Sequence, residues 1–212
     1  MKRTFGRRHA PDRRDASYRI SARARRVEKH WPEGTWRPDQ GDAPECCGYM
    51  GAMYLAGHPH RQYLDPRGIY QMAQRFDEWA PEAHEGSSVR AVAKVLAALG
   101  FLKEYRWATT LTAALAAIAA KGPLMMGTNW YRGMMTTDAA GYVEPTGAVV
   151  GGHAWLATGA STRRRRIRGW TSWREFGVEK PGRFYLSFDA FEALIQADGE
   201  CCLPVERKAA PR

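Results

Sequence analysis

At Gly122-Pro123 the hydrophobic pattern of this 212-residue chain changes character. Before that point apolar residues recur at spacings of three and four, the signature of helices with one buried face; after it they fall into short runs separated by glycines and turn residues, the signature of strands. On the helical side, residues 46–56 form a run of small and apolar residues, and Asp65-Pro66 starts a helix carrying Ile69, Met72, Ala73 and Phe76. Ser87-Ser88 caps a helix over 89–99 that Gly100 stops, and Thr110 begins another that reaches Ala120. On the other side, 124–130, 154–158, 166–170 and 183–187 read as strands, followed by a helix over 188–197 and a polar tail over 201–212. Segregation of this kind predicts an α+β fold of two lobes, mainly helical over 31–112 and mainly β over 113–200, with a ligand cleft between them.

The formal charge of +10 is concentrated at one end, with eleven Lys or Arg between Met1 and His30 against Asp12, Asp15 and Glu28. This stretch lacks apolar periodicity and reads as a flexible basic arm, 1–30, on which Tyr18 and Ile20 are the candidate anchors. Such an arm is suited to nucleic acid or an acidic protein, as is the hairpin tip predicted at Arg163-Arg164-Arg165-Arg166. No apolar run has the length of a membrane span, and the basic start is not followed by the apolar segment of a secretory signal, so a cytoplasmic protein without membrane contact is expected.

The four cysteines come as two adjacent pairs, Cys46-Cys47 and Cys201-Cys202, without the Cys-x-x-Cys spacing of zinc or redox sites. Adjacent cysteines bridge each other only with strain, so all four are expected as thiols. No metal site, phosphate-cradling glycine loop or dinucleotide fingerprint is present, and no cofactor is implied.

Cys46 stands where a thiol becomes reactive, at the start of a helix whose dipole favours the thiolate. Gln40, six residues earlier, can aim an amide at a substrate carbonyl oxygen. Among six histidines, His153 is the best base, because Val149-Val150-Gly151-Gly152 leads into it and Ala154-Trp155-Leu156-Ala157 continues as a buried strand. The others are His9 and His30 in the arm, His58 and His60 around Pro59, and His84 in an acidic loop.

In order along the chain, Gln40-Gly41, Cys46, Gly122-Pro123-Leu124-Met125-Met126, Gly152-His153-Ala154, Thr171-Ser172-Trp173 and Gly182-Arg183-Phe184-Tyr185-Leu186 resemble the landmarks of papain-like cysteine peptidases, over about residues 36–194. The similarity is to compact prokaryotic and phage-borne members. It implies a helical lobe against an antiparallel, barrel-like β lobe, with the active site in the cleft. It also implies Cys46 as nucleophile, His153 as its ion-pair partner and proton donor, Gln40 in the oxyanion hole, and Cys47, Gly152, Ala154 and Trp173 along a cleft that binds a protein or peptide substrate. Cys47 is the competing nucleophile, but its position matches that of a cleft residue. Where the family carries Asn to orient the imidazole, this chain has Thr171; sliding the alignment over Ile167-Arg168-Gly169-Trp170 would put Gly169 there instead. Trp130, Tyr131, Met134 and Met135 are candidates for an adaptable apolar rim, or for ordinary core.

Three functions are compatible with these residues. The first is a papain-type hydrolase of peptide or isopeptide bonds. The second is a catalytically weakened papain-fold assembly protein, of the phage-particle kind, whose basic arm holds nucleic acid or an acidic partner. The third is a cell-wall amidase. The arm could also cover the cleft as a pro-segment, although the resemblance implies a longer and more helical one.

Overall fold

The computed structural model describes residues 3–20, 26–36, 38–57, 59–79, 84–177 and 182–206. After a short 3-10 turn at Arg13–Tyr18 come strand β1 (Glu28–His30) and helices α1 (Cys46–Ala56), α2 (Pro66–Phe76) and α3 (Val89–Ala98). Strand β2 (Leu102–Trp107) and helix α4 (Leu111–Ala120) lead into β3 (Leu124–Tyr131), β4 (Val149–Ser161), β5 (Arg166–Trp170) and β6 (Arg183–Ser187). Helix α5 (Phe188–Gln196) and strand β7 (Glu200–Glu206) close the described chain.

The helices start where polar caps dictate. Asp65 accepts from the N–H groups of Arg67 and Gly68 ahead of α2, and Ser88, Thr110 and Ser187 each accept from the third helical N–H of α3, α4 and α5. Each such cap is worth about 1 kcal/mol. Helix α1 differs: every residue except Tyr49 is buried, so its small side chains serve close packing on all sides.

All seven strands form one antiparallel sheet in the order β2-β7-β3-β4-β5-β6, with β1 added along β4. Strand alternation sends neighbours to opposite faces. Met125, Leu156 and Cys202 meet α1 and α3, whereas Met126, Trp155 and Cys201 meet α4 and α5. The α+β architecture with a helical N-terminal lobe on an antiparallel sheet is therefore as the segregated pattern predicts.

Three elements differ from the sequence reading. The expected tail 201–212 begins as β7, an interior strand between β2 and β3, because Cys201, Cys202 and Leu203 are apolar enough to fill both faces; 207–212 lie outside the described residues. Strand β2 comes from the helical half, its alternation weakened by Lys103, Glu104 and Arg106. In the arm, β1 pairs with β4, and Arg3–Arg8 lies across the protein body. Phe76, expected on the core face of α2, is exposed. No helix among the described residues is long and apolar enough to cross a membrane.

Candidate active site

Cys46 is the first residue of α1. Glu45 caps that helix without a side-chain hydrogen bond, leaving first-turn N–H groups available to a negative charge. Cys46 and His153 are both completely buried. Burial alone would push the Cys46 thiol up, but hydrogen bonding with Cys47 and His153, the charge of the His153 ring and the Ala154 N–H outweigh it, and the thiol lies well below its usual range. Cys47 moves the other way, raised well above the usual range by burial and by its hydrogen bond and charge interaction with Cys46. Its Sγ lies 3.1 Å from the Ser87 carbonyl oxygen. Of the two adjacent cysteines, Cys46 is thus the one whose surroundings favour the thiolate, and Cys47 the one whose surroundings favour the thiol.

His153 sits on β4 opposite Thr128 of β3. Its Nε2 is 2.6 Å from the Thr171 hydroxyl, and its Nδ1 has no ordinary hydrogen-bond partner, which leaves that nitrogen for the thiol. The Trp173 ring stacks on the imidazole at 3.9 Å and 18°, and Trp130 meets it edge-on at 5.1 Å. Thr171 is itself fixed, its N–H donating to the Gly182 carbonyl at 2.8 Å. Thr171, not Gly169, is therefore the residue in contact with the imidazole; Gly169 lies under the Phe184 ring. A protonated imidazole can donate its Nε2–H to the threonine oxygen, with Trp173 keeping water from that bond.

Gln40 is buried and tied to the same segment. Its N–H donates to the Ser172 carbonyl at 3.0 Å, and its Oε1 accepts from the Ser172 hydroxyl at 2.5 Å. With the oxygen so engaged, Nε2 points outward and donates to the carbonyls of Ala43 at 2.8 Å and Thr4 at 3.1 Å. The second acceptor belongs to the N-terminal segment, so the amide already holds a peptide carbonyl lying in the cleft.

That segment occupies the groove. The Gly6 carbonyl accepts from the Ser87 N–H at 2.8 Å, the Arg8 N–H donates to the Ser87 carbonyl at 2.8 Å, and the Arg7 N–H donates to the Gly152 carbonyl at 2.9 Å. Phe5 meets the Trp173 ring edge-on at 5.6 Å, and the Arg3 guanidinium lies over Trp173 and Phe176. A Cβ on Gly152 would lie 2.3 Å from the Arg7 carbonyl oxygen, and one on Gly6 would lie 1.8 Å from the Pro44 carbonyl oxygen. Only glycines permit this approach. Part of the arm's charge is accordingly turned inward: Arg7 pairs with Glu200, and Arg8 lies over Trp79.

Of the cleft candidates, Gly152 bonds Arg7, Trp173 covers the dyad, Cys47 touches Ser87, and Ala154 is buried with its N–H toward Cys46. Trp130 and Met134 are fully buried core, not rim. The remaining histidines lie apart: His60 is 3.7 Å from Glu206, His84 is 3.6 Å from Asp77, and His30 is 3.7 Å from Glu33. His58 falls outside the described residues. Among the described residues, no group of three His, Cys, Asp or Glu is arranged to hold a metal. Phe5, Arg7, Gly127 and Glu200 were not singled out in the sequence, and Ser87 was read only as part of a helix cap. An acid directly ahead of the apolar run Cys201-Cys202-Leu203 was the signal available for Glu200.

No protein-family model and no curated relative matches the chain. Among solved structures it resembles xylellain, a cysteine protease from Xylella fastidiosa, at 14% identity and a TM-score of 0.68 over 98% of this chain and 99% of that one. Procathepsin B from Trypanosoma congolense matches at 8% identity and a TM-score of 0.68, over 95% of this chain and 87% of its own. Bromelain from Ananas comosus, solved with the E64 inhibitor, matches at 10% identity and a TM-score of 0.60, over 82% and 94% respectively. The chain has the fold of the papain-like cysteine proteases.

Proposed function

We propose that this chain is a cysteine peptidase, held latent by its own N-terminal segment, that cleaves peptide or isopeptide bonds through Cys46 and His153. The observation carrying this reading is Cys46 at the start of α1 beside an imidazole whose far nitrogen is engaged by Thr171 under Trp173, an arrangement that favours the thiolate. The Cys46 thiolate attacks the substrate carbonyl carbon, forming a C–S bond while the carbonyl π electrons move to oxygen. Gln40 Nε2 and the Cys46 N–H stabilise that oxyanion. As the intermediate collapses, the C–N bond breaks and His153 protonates the leaving amine. Water then attacks the thioester with its proton passing to His153, and the acid departs as the C–S bond breaks. Thr171 in place of Asn keeps an acceptor at the ring, so the substitution is compatible with activity.

The bound segment runs against the productive direction. The leaving amine must lie on the His153 and Trp173 side, where Phe5 sits, and the acyl side must lie toward Ser87, where Arg7 sits. A substrate therefore runs from Ser87 toward Trp173, whereas Phe5 to Arg7 runs the opposite way. The segment fills the groove without offering a correctly oriented bond.

Gly6→Ala tests the reading, because its methyl collides with Pro44 and unseats the segment while leaving the cleft walls unchanged. Iodoacetamide is expected to label Cys46 faster in Gly6→Ala than in the wild type, and peptide hydrolysis is expected to appear and to vanish with Cys46→Ser. Equal slow labelling of all four cysteines in both proteins, without hydrolysis, would refute it and favour a non-catalytic assembly role.

A further inference from the structure

Ser87 pairs with the bound segment from the helical wall of the cleft. Its N–H donates to the Gly6 carbonyl and its carbonyl accepts from the Arg8 N–H, both at 2.8 Å, while the Arg7 N–H is held at 2.9 Å by Gly152 on the opposite wall. Ser87 is in turn held by a carboxylate that takes no part in the Cys46 chemistry. Asp77 ends α2, its N–H donating to the Ala73 carbonyl at 2.9 Å, and its side chain is 0% exposed. Its Oδ2 accepts from the Ser87 hydroxyl at 2.8 Å, and its Oδ1 from the Trp79 N–H at 3.1 Å. The His84 imidazole lies 3.6 Å from Oδ2, with the Trp79 ring edge-on to it at 5.6 Å.

A buried carboxylate is costly unless its oxygens are bonded, and here both bond groups lying between α2 and α3. An apolar side chain could fill the same space without that cost, but it could not aim the Ser87 hydroxyl. A hydroxyl donating to a charged oxygen makes a bond roughly twice as strong as one between neutral groups. The same helix steadies the preceding residue: the Gly86 N–H donates to the Tyr70 hydroxyl at 2.8 Å, and Gln74 Nε2 donates to that hydroxyl at 3.1 Å. The Ser87 main chain is thus oriented before a chain arrives, so little ordering is lost on binding.

We infer that Asp77 is a positioning residue for the substrate main chain: through the Ser87 hydroxyl it sets the Ser87 N–H and carbonyl where an extended peptide pairs with them, and so places the scissile carbonyl at Cys46. The catalytic meaning rests on the peptidase reading, but the hold on Ser87 can be measured without catalysis. Position matters here because a misplacement of about 1 Å far from the reacting atoms can cost about 10²-fold in rate.

Two variants remove the same bond from opposite ends. Ser87→Ala deletes the hydroxyl and keeps both main-chain groups, whereas Asp77→Ala deletes the carboxylate. In the full-length chain, where the N-terminal segment is the bound peptide, amide hydrogen exchange read by NMR is expected to quicken about tenfold or more at Ser87 and Arg8 in either variant. The Arg7 amide, bonded to Gly152, should keep its wild-type rate. The double variant should add nothing, because both substitutions break one bond. In the Gly6→Ala background, either substitution is expected to lower kcat/KM for a peptide by about tenfold. N-methylating each of three acyl-side amides of that peptide in turn should reveal one position at which the loss from Asp77→Ala shrinks to about twofold or less, because the donor that meets Ser87 is already gone.

Equal quickening at Ser87, Arg8 and Arg7, or none, overturns the inference, as do additive effects in the double variant. A loss of the same size for every N-methylated peptide overturns it while sparing the peptidase. Local quickening at Ser87 and Arg8, with no peptide hydrolysed in Gly6→Ala, supports the hold on Ser87 and refutes the peptidase reading.

Discussion

Two Cys-Cys dipeptides lie in this protein, equally buried and chemically opposite. Cys201 and Cys202, on β7, send their side chains to opposite faces of the sheet among apolar neighbours, and burial raises both thiols far above their usual range. Cys46 and Cys47 are just as inaccessible, yet Cys46 is driven down and only Cys47 up. Burial raises every one of the four. The difference is a helix end with open N–H groups, a histidine charge and an adjacent thiol that remains protonated to donate. Reactivity here is a property of what surrounds a thiol, not of its sequence or depth.

The sharpest way to break this contrast is to remove the charge. In the Gly6→Ala background, His153→Ala should slow alkylation of Cys46 by about 10³-fold, within the range expected for loss of a positioned acid-base partner. Cys201 and Cys202 should not respond. If Cys46 keeps its rate without His153, the helix end alone lowers the thiol and the ion-pair account fails.

The contrast also predicts a pH signature. Alkylation requires thiolate, so the rate for each cysteine rises as pH climbs through that group's value. Cys46 is depressed, so its labelling should be well developed below the free-cysteine value of about 8.5, whereas Cys201 and Cys202 should stay unreactive at that pH. Thiol stability follows with the same sign. The contribution of ionised Cys46 is present above the unfolded value and is lost as pH falls through its depressed folded value. A Cys46 labelling midpoint at or above 8.5 would show that burial wins there too.

How much of this was legible in the sequence follows from where each signal resides. Cys46, His153 and Gln40 stood out because a helix start, a strand run and a fixed spacing are local features, and strands β3 to β6 announced themselves by apolar runs and glycine turns. Strand β2 was hidden by Lys103, Glu104 and Arg106, since an edge strand with a solvent face has no continuous apolar run. The role of Glu200 needs Arg7 from 193 residues away, and no periodicity encodes that pairing. The arm read as a solvated polycation because its partners, Trp173, Ser87, Gly152 and Glu200, lie at distant points of the chain. Charge composition reports how many cations a segment has, not how many are spent inside.

A smaller effect should follow from loosening the ring instead of deleting it. Thr171→Ala leaves His153 Nε2 buried without its acceptor, at a stability cost of about 1–3 kcal/mol, and frees the imidazole to turn. Loss of such an orienting partner typically reduces activity by about 10- to 100-fold. Thr171→Asn restores an acceptor on a longer arm and should recover most of the loss. If Thr171→Ala and Thr171→Asn both match the wild-type alkylation rate, the stacked Trp173 holds the ring without help.

The smallest effects separate Cys47 from the β7 pair. Cys47 hydrogen-bonds Cys46 and contributes to lowering its thiol, so Cys47→Ala should raise the Cys46 labelling midpoint and slow alkylation at neutral pH by a few-fold, about the consequence of losing one modest hydrogen bond. Cys201→Ala removes a sulfur from the face packed by α4 and α5, and should lower thermal stability by about 1 kcal/mol or somewhat more through the cavity left behind. It should leave the Cys46 pH profile where it was. These two substitutions delete the same atom at similar depth, so a shift with Cys47→Ala alone places the tuning of Cys46 in its immediate contacts. A matching shift from Cys201→Ala would mean that loosening the sheet anywhere disturbs the dyad, and would dissolve the distinction between the two pairs.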